Sequence, residues 1–140
     1  MFCRFDDEKA LRGFYLENGL EVSDDFKSDN AFFSLAETEN GSITAAATLS
    51  KRRGVMILDY IAVKKDKRHG KKATDLLFEM LSECRKRGEK EVYITTKVPE
   101  FFSRFGFTPG NPDGIDLTDE CKGCLQYKNG CKSQPMRLKL

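Results

Sequence analysis

The feature that most constrains this chain is the run GVMILDYIAVKKDKRHGKKATDLLFEML at residues 54–81. Val55, Met56, Ile57 and Leu58, interrupted by Asp59 and resumed from Tyr60 to Val63, are too continuous for a half-exposed strand. They predict a central strand covered on both faces. Lys64, Lys65, Lys67, Arg68, Lys71 and Lys72 crowd the loop that follows, with Asp66 as its one acid. From Ala73 onward, Leu76, Leu77, Met80, Leu81 and Cys84 recur at spacings of three and four, the apolar face of a helix that Gly88 ends. A strand feeding a helix through such a loop presents backbone N–H groups and a helix N-terminus, a ready site for phosphate. Most lysine-rich turns are only solvated surface. Position at a strand–helix junction favours the anionic ligand here.

A length of 140 residues suits one domain with a sizeable core. The net charge of +2 gives no reason to expect nucleic acid, since the basic charge is local to one loop. No apolar run reaches the length of a membrane span. The opening MFCRFDDEKA lacks the apolar centre of a signal peptide. A cytoplasmic location is therefore expected, with no membrane and no nucleic acid among the partners. The five cysteines are an odd number, and without a secretory signal they read as thiols rather than disulfides. The lone His69 makes a Cys/His zinc site or a serine–histidine triad hard to assemble.

Along the chain, residues 1–5 predict a short strand. Asp6 or Asp7 caps a helix with Leu11, Phe14, Tyr15 and Leu20 on its inner face. Residues 20–30 are polar and read as loop or a frayed second helix. Strands are predicted over 31–38 and 42–50, joined by the hairpin dipeptide Asn40-Gly41, and then over 55–63. This antiparallel meander precedes the helix and a further strand at 91–96. Residues 99–105 predict a short helix with Pro99 near its start. Residues 108–134 are loop-like and hold three cysteines, and 135–140 predict a last strand. The order gives an α/β (α+β) fold with a mixed central sheet and flanking helices. No linker divides it, so 1–140 is read as one domain.

The stretch from the strand to the helix resembles the GNAT superfamily of acyl-CoA-dependent N-acetyltransferases. Ile61-Ala62-Val63 stands where that family ends its strand, Arg68 at the first position of its Arg/Gln-x-x-Gly-x-Gly/Ala motif and Ala73 at the last. The middle glycine of the motif falls on Lys71, and Gly70 lies one residue early. TTKVPEFFSRFGF at 95–107 resembles more closely a subgroup of small members related to N-acetylglutamate synthase. The match covers roughly 31–107. It implies a GNAT-like sheet with a splayed strand pair, and acetyl-CoA as co-substrate. It also implies direct transfer to the primary amine of a small metabolite, an amino acid being one candidate. Other readings are a protein or peptide acceptor, a catalytically weak CoA-binding regulator, and a thiol-based metal or redox sensor. For assembly, a homodimer is one candidate state.

The resemblance also implies roles. The donor's pantetheine arm would pair along Ile61, Ala62 and Val63, with an N–H near Ile61 or Ala62 receiving the thioester oxygen. The pyrophosphate would lie on the amides of His69, Gly70, Lys71, Lys72, Ala73 and Thr74, assisted by the side chains of Lys67, Arg68, Lys71 and Lys72. Asp59 is the candidate base, a carboxylate within an apolar strand. Strand alternation predicts that it shares a face with Ile57, Ile61 and Val63. An Asp paired with a basic residue for structure alone is an equal alternative. Phe102 stands where many members carry a tyrosine that protonates the leaving thiolate. Tyr60, Tyr93, Tyr127 or a cysteine remain for that task. Phe101 and Phe102 read as walls of the donor groove or as core. Thr95 and Thr96 lie where they could bond substrate or pantetheine, although threonine suits a strand by propensity alone.

CKGCLQYKNGC places Cys121, Cys124 and Cys131 at the spacing of a metal knuckle, with Gly123 allowing the tight turn. Tetrahedral zinc needs a fourth ligand, for which Cys3, Cys84, His69 and Asp119 are candidates. A structural zinc or redox staple is ranked slightly above thiols with no special role. Some small members of the same subgroup carry a similar cluster before an apolar last strand.

Overall fold

The computed structural model describes residues 2–20, 32–52, 54–68, 70–115, 117 and 134–140. In chain order the elements are β1 (Cys3–Arg4), α1 (Glu8–Glu17), β2 (Phe32–Glu39), β3 (Ser42–Arg52) and β4 (Val55–Val63). A single 3-10 turn at Lys65–Lys67 follows, then α2 (Lys72–Lys86), β5 (Glu91–Thr96), α3 (Pro99–Ser103), β6 (Thr108–Pro109) and β7 (Gln134–Lys139). The seven strands form one sheet in the order β1-β2-β3-β4-β5-β7-β6.

Local chemistry accounts for most of these boundaries. Asp7 accepts the Ala10 N–H at 3.1 Å and starts α1, as an N-cap carboxylate does. Asn40 and Gly41 both have positive φ, 53° and 80°, the backbone that a two-residue hairpin requires. Pro99 stands in the first turn of α3, where its missing N–H costs nothing. That helix ends at Ser103, two residues before the predicted end. Strand β3 runs to Arg52, two residues beyond prediction. The two-residue β6 escaped prediction because its pairing with Arg137 and Met136 of β7 is its only source of order.

Helices cover both faces. Leu76, Leu77, Met80, Leu81 and Cys84 of α2 pack with Leu35, Ala45, Ala47, Leu49, Met56, Leu58 and Val63 on one face. Leu11, Phe14 and Tyr15 of α1 pack with Ala36 and Ala46 on the other. A β4–α2–β5 crossover joins two parallel strands, while their outer neighbours β3 and β7 pair antiparallel to them. The sheet is thus mixed, with β4 at its centre.

One alternation fails. Thr48 pairs with Tyr60 but Leu49 pairs with Leu58, so Asp59 is the extra residue of a β-bulge. Met56, Leu58, Ile61 and Val63 belong with α2, whereas Tyr60 and Ala62 belong with α1. The expectation that Asp59 shares a face with Ile61 and Val63 is therefore corrected. The inserted residue shifts the parity of the strand by one. Asp59 stands on the α1 face with Ser50, and Ile61 and Val63 are on the other.

Candidate functional site

The site follows from how β4 leaves its neighbour. β4 and β5 are paired in parallel at Ile57 and Tyr93, and among the described residues no further pair joins them. β4 continues to Val63 and β5 to Thr96. β4 stays paired with β3 throughout, with Ala47 opposite Ile61, Ala46 opposite Ala62 and Ala45 opposite Val63. Among the described residues, Ile61, Ala62 and Val63 have no strand-pair partner on β5, so the β5 side of β4 opens toward its end. Such an edge accepts an extended ligand. Ile61 and Ala62 are half-buried and Val63 is buried.

The helix start lies just beyond. Lys64 N–H bonds the Thr44 carbonyl at 2.8 Å and holds the end of β4 to β3. Gly70 has φ 108°, a conformation that side-chain-bearing residues rarely adopt. Lys71 is the N-cap of α2 and makes no side-chain cap. The helical ladder begins with the Asp75 N–H on the Lys71 carbonyl at 2.8 Å. The amides of Lys72, Ala73 and Thr74 lie ahead of it, in the turn where a helix leaves its N–H groups without internal partners. The partial positive charge of the helix end falls on the same turn. His69 was also expected here and lies outside the described residues.

The basic side chains divide into two groups. Lys72 is ion-paired with Glu37, and Lys67 Nζ lies 3.3 Å from Glu39 Oε2. The hydrogen bond from Lys72 holds the Glu37 carboxyl down to about 2. Within the loop's own sequence Asp66 is the one acid, but the fold brings two carboxylates of β2 against it. Arg68 bends back over the end of β4. Its Nε donates to the Val63 carbonyl at 2.8 Å, and its Nη2 lies 3.4 Å from Asn18 Oδ1. Lys64, Lys65 and Lys71 are exposed.

Asp59 is half-buried and accepts a hydrogen bond from Ser50 Oγ. The sequence reading missed Ser50 as a partner. A readable signal exists in SITAAATLS, where Thr44, Thr48 and Ser50 alternate with the apolar Ala45, Ala47 and Leu49. Near Asp59, Tyr60 stacks on Tyr15 with ring centroids 4.8 Å apart.

The remaining candidates fall as follows. Phe102 is buried in the α2-side core at 4% exposure, edge-on to Phe101 and to Phe107. Phe101 is half-buried and is the more accessible of that pair. Thr96 Oγ1 accepts the Val98 N–H at 2.9 Å and so shapes the entry to α3. Tyr93 donates its hydroxyl to Glu91. Its burial, then that bond, push the phenol up from its ordinary value. Cys121, Cys124, Cys131, Asp119 and Tyr127 lie outside the described residues. Among the described residues no group of three or more His, Cys, Asp or Glu is placed to hold a metal. Of the suggested fourth ligands, Cys3 is exposed. Cys84 is in the core, where burial pushes its thiol up to about 11, away from the thiolate that zinc binds. No helix among the described residues is long and apolar enough to cross a membrane.

No protein-family model and no curated protein matches the sequence. Solved structures do match the fold. N-acetylglutamate synthase from Neisseria gonorrhoeae, complexed with coenzyme A and N-acetyl-glutamate, superposes with a TM-score of 0.70 at 16% identity. The match covers 100% of this chain and 35% of that one, so this chain spans about a third of the enzyme's length. An acetyltransferase of the GNAT family from Staphylococcus aureus Mu50 gives a TM-score of 0.73 at 15% identity, covering 100% of this chain and 98% of the other. Rv2747 from Mycobacterium tuberculosis, in complex with CoA, gives 0.72 at 16% identity, covering 100% and 99%.

Proposed function

From the GNAT fold that the chain adopts, we propose that it is an acetyl-CoA-dependent N-acetyltransferase. The acceptor is the primary amine of a small metabolite, with amino acids the first candidates, and transfer occurs by direct attack in a ternary complex. One observation carries the reading. Among the described residues, Ile61, Ala62 and Val63 at the end of the central strand have no strand-pair partner on β5, and they lead to a helix whose N-cap makes no side-chain cap.

The residues then divide the work. The open backbone of Ile61, Ala62 and Val63 holds the donor's amide-bearing arm. The amides of Gly70, Lys71, Lys72, Ala73 and Thr74 receive its pyrophosphate. Arg68 and Lys71 supply positive charge, although Arg68 also braces the Val63 carbonyl. The amine nitrogen bonds to the acetyl carbon, the carbon–sulfur bond breaks, and CoA leaves as thiolate. An N–H of Ile61 or Ala62 receives the negative charge that develops on the carbonyl oxygen. Asp59 takes the proton from the nitrogen. Titration calorimetry with acetyl-CoA and with dephospho-CoA tests the reading. Binding weakened by loss of the 3′-phosphate, followed by thiol release with an amino acid, is expected. A folded protein that binds neither overturns it.

A further inference from the structure

The sheet face beneath α1 carries buried hydroxyls that the transfer described above does not use. Tyr15, Ser34, Thr48 and Ser50 are each at most 1% exposed. Thr48 Oγ1 lies 2.7 Å from the Tyr15 hydroxyl and 2.8 Å from Ser34 Oγ. Two residues along β3, on the same face, Ser50 Oγ donates to Asp59 Oδ2. A serine hydroxyl has one proton to give, and an ionised carboxylate can only accept. Thr48 is already engaged by two hydroxyls, so the proton of Ser50 is directed to Asp59. The bond is part-buried, with Ser50 at 1% exposure, so water competes with it less than at an open surface.

The bulge makes this contact matter. As the extra residue, Asp59 has no residue opposite it on β3. Pairing with β3 therefore does not set its side chain, and the Ser50 hydroxyl is one contact that orients its carboxylate. We propose that Ser50 is the positioning residue of Asp59, holding the carboxylate ionised and in one orientation. The inference rests on Asp59 as the base of the proposed transferase.

Among the described residues, the titratable groups on this face include Tyr15 of α1, Tyr60 of β4, Tyr93 and Glu91 of β5, and Arg137 of β7, which is paired with Tyr93, and the segment of Ile115 and Leu117 packs against Ile57 and Tyr93 on the same face. Phenol and guanidinium side chains as classes do not change protonation in the acidic range. On β4 and β5, Asp59 and Glu91 are the carboxylates of this face. A resonance assigned to Asp59 separates the two.

The test follows the Asp59 carboxyl carbon by NMR across pH, beside the pH–rate profile, in the parent protein, Ser50→Ala, Ser50→Cys and Ser50→Thr. Loss of a donor to the ionised form favours protonation. The Asp59 midpoint and the acidic limb of kcat/KM should therefore both move up by about one pH unit in the Ala and Cys variants. Threonine, which restores the hydroxyl, should return both. Cysteine preserves the volume if alanine fails to fold. An unmoved Asp59 midpoint in a folded variant overturns the proposal. A midpoint that moves while the acidic limb stays upholds the Ser50 contact and removes Asp59 as the base. Absence of turnover in the parent protein defeats the transferase reading, and the NMR titration still decides the contact.

Discussion

The Lys72 ammonium and the Glu37 carboxylate form an ion pair that ties the first turn of α2 to β2. The same residue of the helix start that lends an amide to the candidate phosphate site thus has its side chain turned away to the sheet. Thr44, the extra residue of a second bulge, reinforces the arrangement by donating from Oγ1 to the Glu37 carbonyl at 3.1 Å.

This pair makes stability depend on pH in a defined window. The Glu37 carboxyl sits at about 2 in the folded chain, below the roughly 4.3 of a free glutamate. Its contribution is present above the unfolded value and is lost as pH falls through the folded one. Glu37→Gln should cost roughly 0.5–1 kcal/mol at pH 7, a partly exposed pair being weak. The difference from the parent should shrink between about pH 4 and pH 2. Urea unfolding at pH 7, 4 and 2 checks this. A constant difference would mean that the pair adds nothing specific to the acid limb.

Ala73 is half-buried in the first turn of α2. Ala73→Leu should weaken acetyl-CoA binding by at least about tenfold, because a larger side chain blocks close approach to the amides of that turn. Circular dichroism should show an intact fold. Calorimetry returning the parent affinity in a folded variant would move the phosphate site elsewhere.

Gly70, with φ at 108°, introduces the same turn. A Cβ there meets open space, so the penalty for Gly70→Ala is backbone strain alone, about 1–3 kcal/mol. Denaturant titration should report that loss, and acetyl-CoA affinity should fall because the loop relaxes to another path. A variant as stable as the parent would show that the loop has a second conformation of similar energy.

Asp59→Asn preserves shape and removes the proposed base. Turnover should fall by about 10²–10⁴-fold, with acetyl-CoA affinity nearly unchanged. Steady-state kinetics and calorimetry on the same sample make the comparison. Unchanged turnover would assign Asp59 to structure alone.

Much of the fold is legible in local chemistry. The continuous apolar run predicted β4 as a covered central strand. The spacing of three and four predicted α2 to within a residue of its start. Asn40-Gly41 predicted the hairpin, because few other dipeptides accept two positive φ values. Of the candidate site, the strand end and the helix turn were legible because strand, loop and helix are contiguous. Three things were not. The carboxylates that meet the basic loop come from β2, 28 residues away for Lys67 and Glu39 and 35 for Lys72 and Glu37. Phe102 looked as able to line a groove as to fill the core, and packing against Phe101 and Phe107 put it in the core. The hydroxyl that meets Asp59 belongs to the neighbouring strand.

The sequence by itself determined the elements, their order and the position of the basic turn, since each rests on periodicity and on residues adjacent in the chain. Tertiary structure decided which face Asp59 occupies. A bulge is set by the hydrogen-bond register between β3 and β4, and no composition or spacing within β4 encodes it. One inserted residue reverses the alternation of everything after it. The base candidate is thereby placed among the hydroxyls beneath α1, while Ile61 and Val63 face α2.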